Sequence, residues 1–401
     1  MSVYDSLGVQ TIINASGTVT RLGGSAMSET VLDAYQDAAR EWVPLEQLQA
    51  AASKMIAQVT GAEAGLVTSG AAASLTLGTA AILARYDLSR MEQLPNTEAF
   101  PNEFVVAREQ RSGYDHAVRV AGAKLVEVGF NEIVSGAGVR RTEVWEYEAA
   151  FNQRTAGILY VYTPDSQPAL EAVVDLAHHH KLPVLVDAAG QLPPRANLML
   201  PSMTNADLVA FSGGKAIHGP QSSGLLCGSK DLIASAALQM LDMDDHWELW
   251  EPPPDFIDRR KIKGMPRHGI GRSMKVSKEE IVALITALAI FASEDPKAKN
   301  DSHRGNLQLI VEAVEGPTVR CELIDSAGEE RTPILEITLS AADALEICRG
   351  LRKGSPPIYV GHGKLAEAKL VINPMCLDRN AADTIARRLR KELEHYKPSL
   401  D

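Results

Sequence analysis

Lys215 follows two glycines in FSGGKAIHGPQSSG (211–224), directly behind the apolar run DLVAF (207–211). A lysine brought to the end of an expected buried strand, with so little side chain around it, can have its pKa lowered enough to hold an aldehyde as a Schiff base. Asp187, 28 positions earlier, ends the apolar run PVLVD (183–187). Its carboxylate is largely desolvated there and needs a cationic or hydrogen-bonding partner, which a ligand could supply. The third place is TSGAAASLTLG (68–78), where small residues let backbone N–H groups at a helix start approach an anion that the helix dipole also favours. Its glycine spacing fits neither a Walker loop nor the dinucleotide fingerprint. Taken singly, Lys215 reads by default as a surface charge, and Asp187 equally as the cap of a turn. Together, an anion cradle, a strand-end carboxylate and a strand-end lysine meet the needs of pyridoxal phosphate: a phosphate site, a partner for the pyridine nitrogen and an aldehyde trap.

The elements that carry these residues alternate in the manner of successive βαβ units, which predicts a mostly parallel seven-stranded sheet. The expected strands are AGLVT (64–68), FVVA (104–107), KLVEV (124–128), GILYVY (157–162), PVLVD (183–187), DLVAF (207–211) and GLLCG (224–228). Helices are expected over PLEQLQAAASKMIAQVTG (44–61), PALEAVVDLAHHHK (168–181) and SKEEIVALITALAIFA (277–292). Residues 303–396 read as an α+β pattern, with strands in TVRCELID (318–325), PILEITLS (333–340) and AKLVIN (368–373) and helices in ADALEICRGL (342–351) and the charged end of the chain. The domain reading is an N-terminal segment (1–43), a large cofactor-binding domain (44–265), a loop with a linking helix (266–300) and a small α+β domain (301–401). Ligands of open parallel sheets bind beyond the carboxyl ends of the strands, which places the site where Asp187 and Lys215 stand.

With 45% hydrophobic and 23% charged residues over 401 positions, the chain reads as an ordinary soluble protein of more than one domain. No apolar run is long enough for a membrane span, and MSVYDSLGVQTIINASG lacks the layout of a signal peptide. The four cysteines lie far apart, so a reducing cytoplasm with free thiols is expected. A net charge of -11 without a dense basic block argues against a nucleic-acid partner. His178, His179 and His180 are adjacent in the last turn of a helix and point different ways, so no metal site is expected there.

Six blocks in order resemble the fold-type I pyridoxal-phosphate enzymes, in the branch of selenocysteine synthase and the D-glucosaminate-6-phosphate ammonia-lyase-like proteins. They are INASGTVTRLGGS (13–25), TGAEAGLVTSGAAA (60–73), GYDHAVRVAGAKLVEVG (113–129), PVLVDAAGQLPP (183–194), FSGGKAIHGPQSSGLLCG (211–228) and GIGRSMKVSKEEI (269–281). The resemblance implies that Lys215 holds the cofactor and then serves as acid and base at the substrate Cα, while Asp187 keeps the ring nitrogen protonated. It implies Ala189 beneath the ring, His116 stacked on its outer face, and Gln191 at the phenolic oxygen. Ser69, Gly70, Ala71 and Ser212 would contact the phosphate, with Gln221 reaching the phosphate of a second subunit. A homodimer at least, and an N-terminal segment contributing to the active site, are expected from the same resemblance. Arg272, then Arg21 and Arg267, are the candidates for a substrate carboxylate, since a planar guanidinium suits that task. His218 and His268 are further substrate candidates. The glycines around Lys215 are read as clearing space for a flat cofactor.

The branch implies removal of the Cα proton and loss of a β-substituent, giving a 2-oxo acid and ammonia. The expected substrate is a hydroxylated amino acid or 2-amino sugar acid, with Arg267, Arg272 and Lys275 available should it carry a distal phosphate. Aldol cleavage, racemisation and transamination would use the same Lys215 and Asp187 and stay open. Selenium transfer on charged tRNA is less expected, because the INASG block starts at residue 13 and the chain is acidic. A non-catalytic cofactor-binding regulator sits poorly with the retained lysine and aspartate.

Overall fold

The structure is a computed structural model that describes residues 2–130, 140–325, 330–339 and 344–394. It divides into two compact bodies, one of Met27–Leu192 with Ala196–Ala292, the other of Met1–Ala26 with Pro193–Arg195 and Ser293–Asp401. In chain order the strands are β1 (Ile13–Ala15), β2 (Ala64–Thr68), β3 (Glu103–Ala107), β4 (Lys124–Val128), β5 (Thr155–Val161), β6 (Val184–Asp187), β7 (Leu208–Ser212), β8 (Gly224–Gly228), β9 (Val319–Ile324), β10 (Ile334–Leu339), β11 (Ile358–Val360) and β12 (Lys369–Ile372). Among the described residues no helix is long and apolar enough to cross a membrane.

The larger body holds a seven-stranded sheet in the order β2-β8-β7-β6-β5-β3-β4. Five strands, β7, β6, β5, β3 and β4, are mutually parallel, and β8 runs antiparallel to both its neighbours β2 and β7. The apolar runs of the sequence become strands because helices cover both faces, and β2 and β8 bury every residue. Edge strand β4 is the partly exposed one.

Two helices frame the site. The helix Leu45–Thr60 follows Pro44 and stops at Gly61, whose φ of 67° is left-handed. Its Gln49 and Ser53, one turn apart, close the outer edge of β2. The Gln49 amide accepts from Val67 N–H at 3.0 Å and donates to Val67 C=O at 2.9 Å, and Ser53 Oγ accepts from Gly65 N–H at 3.0 Å. An edge strand that would otherwise present unpaired groups is thus sealed by side chains. The helix Ala71–Ala84 is apolar all round and buried from Ala73 onward, as a helix inside a body should be. A Cβ at Gly78 would lie 2.9 Å from Leu185 Cδ1, so that glycine serves close packing on the sheet.

In the smaller body, β10 lies between β9 and β12, antiparallel to both. The helices Pro296–Val314, Ala344–Lys353 and Arg379–Glu394 close a core of Leu307, Ile310, Leu335, Ile337, Leu370 and Leu389. The expected strands are found there; Ser340, residues 342–343 and the chain beyond Glu394, where the reading continued, lie outside the described residues. A two-stranded parallel pairing of β1 with β11 was not expected.

Candidate active site

Strand register brings the three chemical stretches to one edge of the sheet. Thr68 and Ser212 each pair with Gly224 from opposite sides, Ala210 pairs with Asp187, and Asp187 pairs with Val161. Since β2 and β7 are both antiparallel to β8, they run the same way, so Thr68, Asp187 and Ser212 are carboxyl-terminal residues on a shared edge.

Asp187 is held there against its charge. Burial pushes its carboxyl above the ordinary range, the Ala189 N–H (3.0 Å to Oδ1) and the charge of Lys215 pull it back, and Asp115 adds to the upward push. Lys215 Nζ is at this same place, because a Cβ built on Gly190 would lie 3.7 Å from it. A largely buried carboxylate with one backbone N–H donor and a lysine charge beside it is placed to meet a protonated ring nitrogen.

Lys215 rides on a loop tied at its base. Gly213 N–H donates to Ser223 C=O at 2.9 Å, and Gly213 C=O accepts from Gly219 N–H at 2.9 Å. His218, with φ of 61° and its N–H on Lys215 C=O at 3.0 Å, turns the chain inside that tie. The glycines here do not clear space for a cofactor, which corrects the sequence reading. A Cβ on Gly213 would meet Ser223 Oγ at 2.3 Å, and one on Gly214 would meet Gln221 Cα at 2.4 Å. They are glycines because the returning half of the loop fills their side-chain positions.

The anion cradle is the turn from β2 into the helix Ala71–Ala84. Gly70 precedes the helix with φ of 98°, a region that favours glycine, and the nearest atom to a Cβ there is Ser222 O at 3.7 Å. Gly224 presses against this turn, 2.4 Å from a built Cβ to Gly70 C and 2.6 Å to Ala71 N. The first N–H groups of the helix have no acceptor within it, which suits a phosphate. Ser69 donates its hydroxyl to Met274 C=O at 2.8 Å, and Thr68 Oγ1 lies 2.7 Å from Ser74 Oγ.

The other candidates separate. His116 is exposed on the short helix Asp115–Val120, and Gln221 is exposed on its turn. Gln191 and Ala189 are half-buried on the segment after Asp187, where Asn197 donates to Gln191 C=O at 2.6 Å. Arg272 and His268 converge on Asp242, with Arg272 Nη2 2.5 Å from Oδ2 and His268 Nε2 3.1 Å from Oδ1. Arg267 is exposed, 3.7 Å from Glu92. Arg21 belongs to the smaller body and lies 5.9 Å from the centroid of the Tyr359 ring. His178 and His180 meet different carboxylates, Asp207 at 3.0 Å and Glu148 at 3.1 Å.

Two residues were missed by sequence reasoning. Asp242 is held at about 2 by the Asp244 N–H, His268 and Arg272; its stretch LDMDDHWELW carries no periodic signal. Gln110 accepts from Val161 N–H at 2.9 Å, next to Asp187 in register, while its buried Nε2 has no hydrogen-bond partner among the described residues.

The family model described as "SelA: L-seryl-tRNA selenium transferase" matches residues 12–243, more than half of the chain. The chain belongs to this family. A 5'-C-glycyluridine monooxygenase-decarboxylase of Streptomyces sp is 29% identical over 400 residues, 97% of this chain and 92% of that one. A D-glucosaminate-6-phosphate ammonia lyase of Salmonella typhimurium is 28% identical over 411 aligned positions, 98% of each chain. A solved structure of D-glucosaminate-6-phosphate ammonia-lyase superposes with a TM-score of 0.80 at 26% identity, covering 98% of this chain and 99% of that one. The family's fold is the fold-type I architecture, and its cofactor is pyridoxal 5'-phosphate. The residues present fit that group: a largely buried carboxylate, a lysine amine beside it, and an open helix start on the same sheet edge.

Proposed function

We propose that the protein is a pyridoxal-phosphate-dependent lyase that removes water and then ammonia from a hydroxylated amino acid of the 2-amino sugar acid type. The carrying observation is full-length similarity to an ammonia lyase, 98% of each chain, combined with Asp187 and Lys215 on one sheet edge. When bound, the cofactor supplies an electron sink for the bond electrons left at Cα. Asp187 would meet its ring nitrogen, and Ser69, Gly70, Ala71 and Ser212 its phosphate. Lys215 Nζ takes the Cα proton and returns a proton to the departing β-hydroxyl. The enamine released tautomerises and is hydrolysed, so the water lost is regained and the products are a 2-oxo acid and ammonium.

The reading includes a homo-oligomer in the cytoplasm, with the exposed Gln221 turned toward a second copy, His116 over the ring and no nucleic-acid partner for a chain of net charge -11. A second reading has a specific observation in its favour, the 29% identity to a monooxygenase-decarboxylase. Incubating cofactor-loaded protein with hydroxylated amino acids and 2-amino sugar acids separates them. Equal ammonia and 2-oxo acid without oxygen uptake supports the lyase; carbon dioxide with oxygen uptake supports the second reading and removes the first.

A further inference from the structure

A cavity of about 500 Å³ opens in the larger body, with Leu45 and Ile281 on its apolar wall and Asp242, Arg272, Lys275 and Glu280 as its charged groups. It adjoins the anion cradle. Met274 C=O, in the segment that carries Arg272, accepts from Ser69, and Glu280 accepts from Ser222, beside Gln221 and opposite Gly70. The chamber thus lies beside the turn proposed to hold the cofactor phosphate.

The charges of that chamber cancel. Arg272 and Lys275 bring two positive charges, and Asp242 and Glu280 two negative ones. Arg272 is already engaged by Asp242 at 2.5 Å, and Asp242 also accepts from the Asp244 N–H at 3.1 Å and faces His268. Glu280 is held by Ser222 and by the N–H and hydroxyl of Ser277, each at 3.3 Å from Oε2. A phosphate dianion bound to Arg272 would sit against the Asp242 carboxylate, and like charges at that range repel strongly. A hydroxyl both donates and accepts, so a polyol can donate to a carboxylate oxygen and accept from the remaining Arg272 and Lys275 N–H groups with the Arg272–Asp242 ion pair intact.

We propose that this cavity takes the hydroxylated, uncharged tail of the substrate, and that Asp242 sets this specificity by neutralising Arg272. The assignment rests on the lyase reading for the reacting end, but not for its test. The probes are D-gluconate and 6-phospho-D-gluconate, which lack the amino group and do not react. Their affinities for the cofactor-loaded protein are measured by calorimetry, and ammonia release from amino sugar acids is assayed separately. Gluconate should bind at least ~10-fold more tightly than its phosphate, a preference of the size one uncompensated carboxylate contributes. In Asp242→Asn, which frees Arg272 while keeping the side-chain shape, the preference should fall by ~10-fold or reverse. Equal or tighter binding of the phosphate by the unmodified protein overturns the proposal, and this arm needs no variant. Binding of neither probe overturns it too, as does an unchanged preference in an Asp242→Asn protein with normal circular dichroism. Absence of ammonia release alongside the expected preference would remove the lyase reading and leave the cavity assignment standing.

Discussion

Gly214→Ala tests why glycines surround Lys215. The new Cβ would fall 2.4 Å from Gln221 Cα, 2.7 Å from its O and 2.8 Å from its C. All three are backbone atoms, so no side-chain rotation relieves the contact. Favourable carbon contacts lie near ~3.5 Å, so the two halves of the loop must part by about 1 Å. Overpacking of this kind costs about 1–3 kcal/mol. For a body of this size that is about 2–6 °C in melting temperature. Lys215 is the next residue, and a displacement of ~1 Å at a reacting group can cost ~10²-fold in rate. The control is Gly190→Ala, whose Cβ would meet only Lys215 Nζ, at an ordinary 3.7 Å. It should melt within about 1 °C of the unmodified protein, since exposed substitutions of this kind stay within about 0.5 kcal/mol. Thermal melts of both apoproteins and their elimination rates decide the matter. A Gly214→Ala protein that melts and turns over normally, or a Gly190→Ala protein that is the less stable of the two, would refute the packing argument.

Burial raises the Asp187 carboxyl, so its ionised form destabilises the apoprotein above the unfolded value of about 3.9, and the penalty is complete once pH exceeds the raised folded value. Asp187→Asn should therefore leave the apoprotein at least as stable at neutral pH, with the gain fading as pH falls toward about 4, while product formation drops by ~10²-fold or more; a pH-independent loss of stability would contradict this. Gln49→Leu orphans the N–H and C=O of Val67, both buried, at about 1–3 kcal/mol each, so chemical denaturation should show a loss of about 2–6 kcal/mol. The same variant should weaken cofactor binding, because β2 leads directly into the cradle; a loss under about 1 kcal/mol would mean that water reaches the strand edge.

The large sheet was legible because most of its strands are buried on both faces and so stand out as Val- and Leu-rich runs; AGLVT and GLLCG match β2 and β8 residue for residue, and KLVEV matches the partly exposed β4. The stretches with Asp187 and Lys215 were legible for the same reason, since a charged group at the end of a buried apolar run must be compensated, and a ligand is one means of doing so. What escaped the reading depends on partners far away in sequence. β1 and β11 are three residues each and pair across some 345 positions, below what local periodicity can register. The reason for Gly214 lies in the backbone of Gln221, and Asp242 acquires meaning only where Arg272 and His268 reach it. Arg272 was read as a candidate for a substrate carboxylate, and the structure sets it against Asp242.

The most direct test of the proposed chemistry is covalent. Protein incubated with pyridoxal 5'-phosphate is reduced with borohydride, digested and mapped by mass spectrometry. The pyridoxyl group is expected on Lys215, and none on the same peptide of Lys215→Ala. A group found on another lysine, or no fixed cofactor at all, would contradict the assignment of Lys215.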